Sequence, residues 1–334
     1  MGTPRHGKPV RFAIATIAFL VSEACSANDS WQYQASLAYV ASKEEQAPSA
    51  DYPTVGTGLS YSFSSLPLAG DYPLAESRFA ERVGSFHIGY LMGRYEDDIV
   101  EKHDVSALSV SANLMHPGTD FAGSVAWRRA RFSEAAYKPG FIDDAPGAPV
   151  APRSETDDAP GAPVALRSET IDMDTLAMSL GYFVRKHVLL GYAHSRTTTE
   201  FNYQPTGISP DRSRSASDRL YLQFLGKVGA EAHLAADLVL GRLKSEPSGH
   251  PARTNRLVVV QGRYYPNRRH GASIELGRNT GEDQDDEGIW YEVEYDVFVT
   301  SRFNVGGSFR QFLADDKVQG EDQRTLAAYV AYRF

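Results

Sequence analysis

The sequence predicts an all-β fold, a transmembrane antiparallel β-barrel of about 14 strands with 12 and 16 as the alternatives. Three observations predict it. Apolar and polar residues alternate with period two along most of the chain, the connections between these segments alternate between short and long, and the last residue is the aromatic Phe334.

The first element is not a strand. Arg5, Lys8 and Arg11 precede the apolar run Phe12 to Val21, and small residues follow at Ala24, Ser26 and Ala27. This pattern suits a secretory signal peptide over 1–27, cleaved after Ala27, with the barrel over 28–334. The run is half the roughly 20 apolar residues that a spanning helix needs. Cys25, the only cysteine, lies inside this segment, so disulfides and thiolate chemistry are not expected of the remainder.

Fourteen segments then alternate: 31–41, 55–64, 84–95, 105–115, 121–132, 172–183, 188–198, 217–226, 232–242, 256–265, 272–280, 289–298, 302–312 and 324–334. In the second, Val55, Thr57, Leu59, Tyr61 and Phe63 share one face and Gly56, Gly58, Ser60 and Ser62 the other. In the twelfth, Ile289, Tyr291, Val293, Tyr295 and Val297 oppose Trp290, Glu292, Glu294 and Asp296. A helix would scatter those acids around its circumference, whereas a strand sets them in one row. Each segment is close to the 9–11 residues that a tilted strand needs to cross a bilayer.

Short turns (His116 to Asp120, Val184 to His187, Val299 to Ser301) alternate with longer polar connections (Glu96 to Asp104, Thr199 to Ala216, Leu313 to Gln323). Barrels of outer membranes have short periplasmic turns and longer external loops. Ser65 to Val83 breaks the rule as a long connection on the short-turn side, and leaves the strand number open by one hairpin. The longest connection, Ser133 to Ile171, holds a tandem repeat: Asp143 to Thr156 recurs as Asp157 to Thr170, with Pro152 replaced by Leu166. A duplication rich in Pro, Ala and Gly reads as an exposed external loop, and this loop is the first candidate to fold inward as a constriction. Trp31, Tyr33, Phe63, Tyr95, Phe121, Tyr182 and Tyr265 lie toward strand ends, where aromatic girdles form.

The last ten residues, Thr325 to Phe334, resemble the C-terminal signature of bacterial outer-membrane proteins. The resemblance implies that Phe334, Tyr332 and Val330 form the signal read by the outer-membrane assembly machinery, and that the chain resides in the bacterial outer membrane. A second resemblance is to the general bacterial porin family, in which a strand ending Tyr-x-Phe precedes Pro-Leu-Ala-Glu, a Phe and another strand. Here these are Tyr61 and Phe63, then Pro73-Leu74-Ala75-Glu76 and Phe79, then Phe86 to Tyr95. This second resemblance implies a channel.

With 42 acidic and 34 basic residues and no basic block, nucleic acid is not an expected partner. The expected partners are outer-membrane lipid and lipopolysaccharide, the assembly machinery and small solutes; a homo-oligomer stays open. Asp283, Asp285 and Glu287, with Gly288 and Glu294, approach a calcium-loop spacing. Strand-like flanks argue against a helix–loop–helix site there, leaving at most loose divalent-ion binding. His194-Ser195 and His233 with Glu231 are too sparse for a hydrolytic constellation, so neither catalysis nor a cofactor is expected. Parity instead puts Glu275, Glu292, Glu294, Asp296, Arg263, Arg310, Arg128 and Arg219, and also Arg333, on the face away from lipid. Such a set would line a pore and tune its selectivity, or fill the barrel with ion pairs. The expected function is passive diffusion of small hydrophilic solutes and ions; the alternative is a non-conducting structural or surface-binding barrel acting through its external loops.

Overall fold

In a computed structural model, residues 30–44, 51–95, 100–137, 168–204, 211–246, 251–281, 287–314 and 322–334 are described. They form fourteen strands: β1 (Ser30–Glu44), β2 (Asp51–Pro67), β3 (Ser85–Tyr95), β4 (Val100–Met115), β5 (Phe121–Tyr137), β6 (Ser168–Arg185), β7 (Val188–Gln204), β8 (Asp211–Val228), β9 (Ala232–Glu246), β10 (Arg253–Asn267), β11 (His270–Gly281), β12 (Gly288–Phe298), β13 (Phe303–Ala314) and β14 (Gln323–Arg333). Each strand pairs antiparallel with its neighbours in sequence, and β1 pairs with β14 to close the barrel. Closure leaves no sheet edge, which a sheet in hydrocarbon requires because lipid cannot satisfy free N–H and C=O groups.

One seam bond set completes the circle. Phe334 N–H donates to the Tyr33 carbonyl at 2.9 Å, and its own carbonyl accepts from Tyr33 and Gln32 at 2.9 and 3.1 Å. The Phe334 and Tyr33 rings stack, 5.6 Å apart.

The outer wall is apolar. Leu180, Leu220, Leu276, Val293 and Leu326 are each about half exposed or more, as are Tyr90, Leu176, Val260 and Ile289 among many others. A water-soluble domain does not leave so continuous an apolar surface uncovered, and here it forms a belt suited to lipid tails. The start of β1, the end of β14 and the short turns gather at one rim, and the connections at the other rim are longer. Strands β4 to β8 run 16 to 18 residues and β11 to β14 run 11 or 12, while β2 has 17 and β3 has 11.

Glycines let bulky rings lie flat on the inner wall. A Cβ at Gly277 would collide with the Trp290 ring, one at Gly191 with Tyr221, and one at Gly306 with Tyr329. These are directly paired inward positions on adjacent strands. Replacing Gly277 by Val should push Trp290 into the lumen and break its indole N–H bond to Glu275. The expected cost is about 1–3 kcal/mol in a denaturant titration, with a shift in tryptophan emission.

Three expectations change. Trp31 and Tyr265 are 2% and 3% exposed, inside the barrel rather than in a girdle. A register shift between Trp31 and Tyr33 turns Trp31 inward, and Tyr264, not Tyr265, holds the outward position. Tyr33, Phe63, Phe121 and Tyr182 do face outward, while the Tyr95 side chain lies outside the described residues. Second, Ser65 to Val83 hides no extra hairpin. Third, β5 and β6 extend into the repeat-bearing connection as far as Tyr137 and from Ser168, so the last residues of the second repeat copy are strand. Residues 138–167, and with them most of the repeat and any inward fold of that loop, lie outside the described residues.

Candidate functional site: the lumen and its plug

The connection between β2 and β3 enters the barrel and crosses its short-turn mouth. Pro73 is fully buried and precedes a 3₁₀ turn, Leu74–Glu76, which runs into a one-turn helix, α1 (Ser77–Ala80). Apolar residues supply the driving force. Ala80, flanked by Tyr72 and Phe79, packs on Leu225, Ala235 and Tyr265, and Val83 packs on Trp31 and Leu66. Arg82 ends the segment with a left-handed φ of 52°.

Polar contacts fix this plug to the β4–β5, β6–β7 and β10–β11 turns and to β14. Arg82 donates to Asp120 (3.0 Å) and to the carbonyls of Lys186 and Arg185, and its guanidinium lies 4.1 Å over Phe183. Tyr72 hydroxyl and His187 Nε2 are 2.8 Å apart. Burial, then Lys186 and Arg82 nearby, hold the His187 imidazole below its ordinary value, which keeps it neutral at pH 7. Arg268 donates to the carbonyls of Tyr72 and Leu68 (3.1 and 3.3 Å), and Arg333 donates to that of Leu74 (3.0 Å). Arg333 also stacks 4.3 Å over Trp31 and 4.4 Å over Phe298.

The central contact is ionic. Arg263 donates to Glu76 of the plug at 2.5 Å and to Asp237 of β9, while Tyr265 hydroxyl donates to Glu76 at 2.7 Å. All three charged side chains are three-quarters buried or more, so removing Arg263 would leave two buried carboxylates uncompensated, at a cost of about 3–5 kcal/mol.

Above the plug the lumen holds a cavity of about 610 Å³, whose lining includes Glu76, Phe79, Ser124, Ser179, Arg219, Tyr221, Gln223, Asp237, Gln261 and Glu275. Further toward the loop rim a second cavity, about 320 Å³, touches Arg219, Trp290, Arg310 and Phe312. The inner wall therefore mixes charged and amide side chains with apolar ones such as Met115, Leu189, Val239 and Val259.

The charged residues assigned by parity to the lumen spread over several levels of it. Arg219 and Glu275 line the larger cavity, and Arg219 and Arg310 the smaller. Glu275 and Glu292 are register partners, as are Glu292 and Arg310. Glu275 accepts from Trp290 at 2.8 Å, and Arg310 lies 5.2 Å over that indole. Glu294 accepts from Tyr329 at 3.0 Å, and Asp296 pairs in register with Gly271. Arg263 is tied to the plug, and Arg128 sits higher on β5 between Ser109 and Thr175. Glu294 thus belongs to the inner wall and not to a calcium loop; Asp283 and Asp285 lie outside the described residues. His233 meets the backbone carbonyl of Glu231, not its carboxylate, and His194 meets Asp218 at 2.9 Å on the outer face. Sequence reasoning missed the roles of Glu76 and Asp237. The signals were there: apolar Leu74, Phe79 and Val83 in an overlong turn, and a lone acid at an inward position of β9.

A closed fourteen-stranded antiparallel barrel with a lipid-facing belt and a polar interior defines the class: the fold is that of outer-membrane β-barrels. The chain is similar in structure to the outer-membrane protein Omp33 of Acinetobacter baumannii, with a TM-score of 0.52, 10% identity, and 92% of this chain and 99% of that one covered. It is also similar to CymD, a monoaromatic hydrocarbon channel, with a TM-score of 0.51, 8% identity, and 91% and 89% covered. No family model and no curated protein matches the chain, so the general-porin resemblance at Pro73–Glu76 and Phe79 finds no support there.

Proposed function

We propose that the chain is an outer-membrane channel for passive diffusion of small hydrophilic solutes and ions, with its periplasmic mouth closed at rest by the β2–β3 plug. The observation that carries this reading is the cavity of about 610 Å³, whose mixed lining sets Glu76, Arg219, Asp237 and Glu275 among apolar residues, resting on a plug made of this chain's own turn. A barrel serving only as a scaffold gains nothing from such a space, since apolar packing would stabilise it better. CymD, which shares the architecture, is a channel, and this agrees with a transport role here. Short turns on the rim where β1 begins and β14 ends support this orientation, because outer-membrane barrels keep their short turns in the periplasm.

Solute would enter past the loop rim and meet Glu275, Glu292 and Glu294 flanked by Arg310 and Arg219, charges that order lumenal water and select by charge. Planar-bilayer recording of the purified, refolded chain tests the reading. Brief openings from a closed baseline are expected, and complete absence of unitary conductance, with the plug present or removed, would leave the structural or surface-binding barrel as the reading. Replacing Glu292 and Glu294 together by Lys should move the reversal potential in a salt gradient toward anion preference. An unchanged potential would remove both residues from the conducting path.

A further inference from the structure

The outer face of β9–β11 carries basic residues where the apolar belt ends. Arg242 and Lys244 on β9, Arg256 on β10 and Arg278 on β11 are all exposed. Arg242 stands directly opposite Arg256 in register. Arg278 is opposite Val258, one diagonal step from Arg256. Direct partners of an antiparallel pair share a face with Cβ atoms about 5 Å apart, and like charges placed so destabilise the sheet.

The barrel wall gives the three arginines no ion-pair partner: among the described residues no ion pair involves Arg242, Arg256 or Arg278. Asp218 is opposite Arg242 but is already engaged by His194 and the Tyr192 hydroxyl. Lys244 meets Glu246 at 2.6 Å. One register step toward the turn rim, Leu240, Val258 and Leu276 are 47%, 45% and 52% exposed. Four basic groups thus sit on three adjacent strands at headgroup height, directly above surface made for acyl chains, in a protein of net charge −8.

We infer that this patch is a binding site for a phosphorylated lipid of the outer leaflet. Its phosphate lies between Arg242 and Arg256, Arg278 and Lys244 flank it, and its acyl chains lie along Leu240, Val258 and Leu276. Guanidinium forks bind phosphate oxygens in bidentate fashion, and a phosphate between two arginines turns their repulsion into a bridge. A free phosphate would use the arginines alone, whereas the continuous apolar surface below selects a lipid. The inference rests on the outer-membrane placement and is independent of conduction.

The test uses the full chain refolded in neutral detergent, with bisphosphorylated lipid A, dephosphorylated lipid A and inorganic phosphate as probes. Native mass spectrometry reads adducts, and the loss of compact gel mobility on heating reads stability. Lipid A should bind about ten-fold more tightly than its dephosphorylated form, a difference typical of one lost charge-assisted contact. The R242Q/R256Q variant should abolish that difference. The same variant, free of lipid, should unfold at a temperature equal to or above that of the unmodified chain, because a like-charge pair is gone. This opposite sign with and without lipid is a signature that a merely structural pair would not give. Equal binding of the two lipids, retained preference in the variant, or equal protection by inorganic phosphate would overturn the lipid site.

Discussion

A chain whose residues 69–82 are replaced by a short Gly-Asn turn should conduct at a steady level, several-fold above the brief openings of the unmodified protein. The segment removed contributes Pro73, Leu74, Glu76, Phe79 and Arg82, which together reach β4–β5, β6–β7, β10 and β14. No other described element crosses that mouth. The barrel wall should survive, because ladder bonds from β1 to β14 are independent of the plug. Loss of the plug leaves Asp237 and Arg263 paired with each other and removes the apolar contacts of Ala80 and Val83, so a modest drop in heat stability should accompany the open lumen. A milder version separates latch from filler: Glu76→Gln keeps the volume and removes one charge from the Arg263 pair. Its openings should lengthen without reaching the steady level. Equal, low conductance in all three proteins would place the barrier elsewhere.

Truncation of Phe334 should reduce the fraction of chain that reaches a heat-modifiable, protease-resistant barrel, and should do so more than any single change in the lumen. The residue supplies three backbone bonds across the β1–β14 seam and ring stacks on Tyr33 and Tyr332. At about 1 kcal/mol for each bond, its loss weakens the last seam to form. Phe334→Leu keeps the backbone bonds and loses only the two stacks. Normal assembly of the truncated chain, followed by gel mobility in membranes, would remove the C-terminal residue from the assembly signal and leave it a minor stabiliser.

The strand pattern was legible because one face of each strand had to be apolar, and alternation at Val55–Phe63 or Ile289–Val297 has no other simple reading. Parity alone also put Glu275, Arg219 and Arg310 on the side where cavities are found. What parity does not carry is backbone irregularity. A bulge beside Gln32 reversed Trp31, and the adjacent pair Tyr264-Tyr265 offered two rings for one outward position. Pairing between distant segments was equally hidden. Glu76 meets Arg263 because a turn bends inward, and period-two alternation says nothing of where a connection goes. Asp237 looked like an isolated acid in an apolar strand until Arg263 stood beside it.

The plug has a bearing on how the molecule comes together. Glu76 and Arg263 are 187 residues apart in sequence, and Leu74 and Arg333 are 259 apart. In a wall built in chain order, the plug belongs to the second hairpin and its partners to the tenth and fourteenth strands. Contacts between such distant segments form late. The segment waits on the nascent sheet, with an unmatched Glu76, until the wall has curled far enough to bring Arg263 and Arg333 round. Circularisation and plug seating therefore coincide, and a chain circularised around a misplaced plug would have to reopen its β1–β14 seam to correct the error.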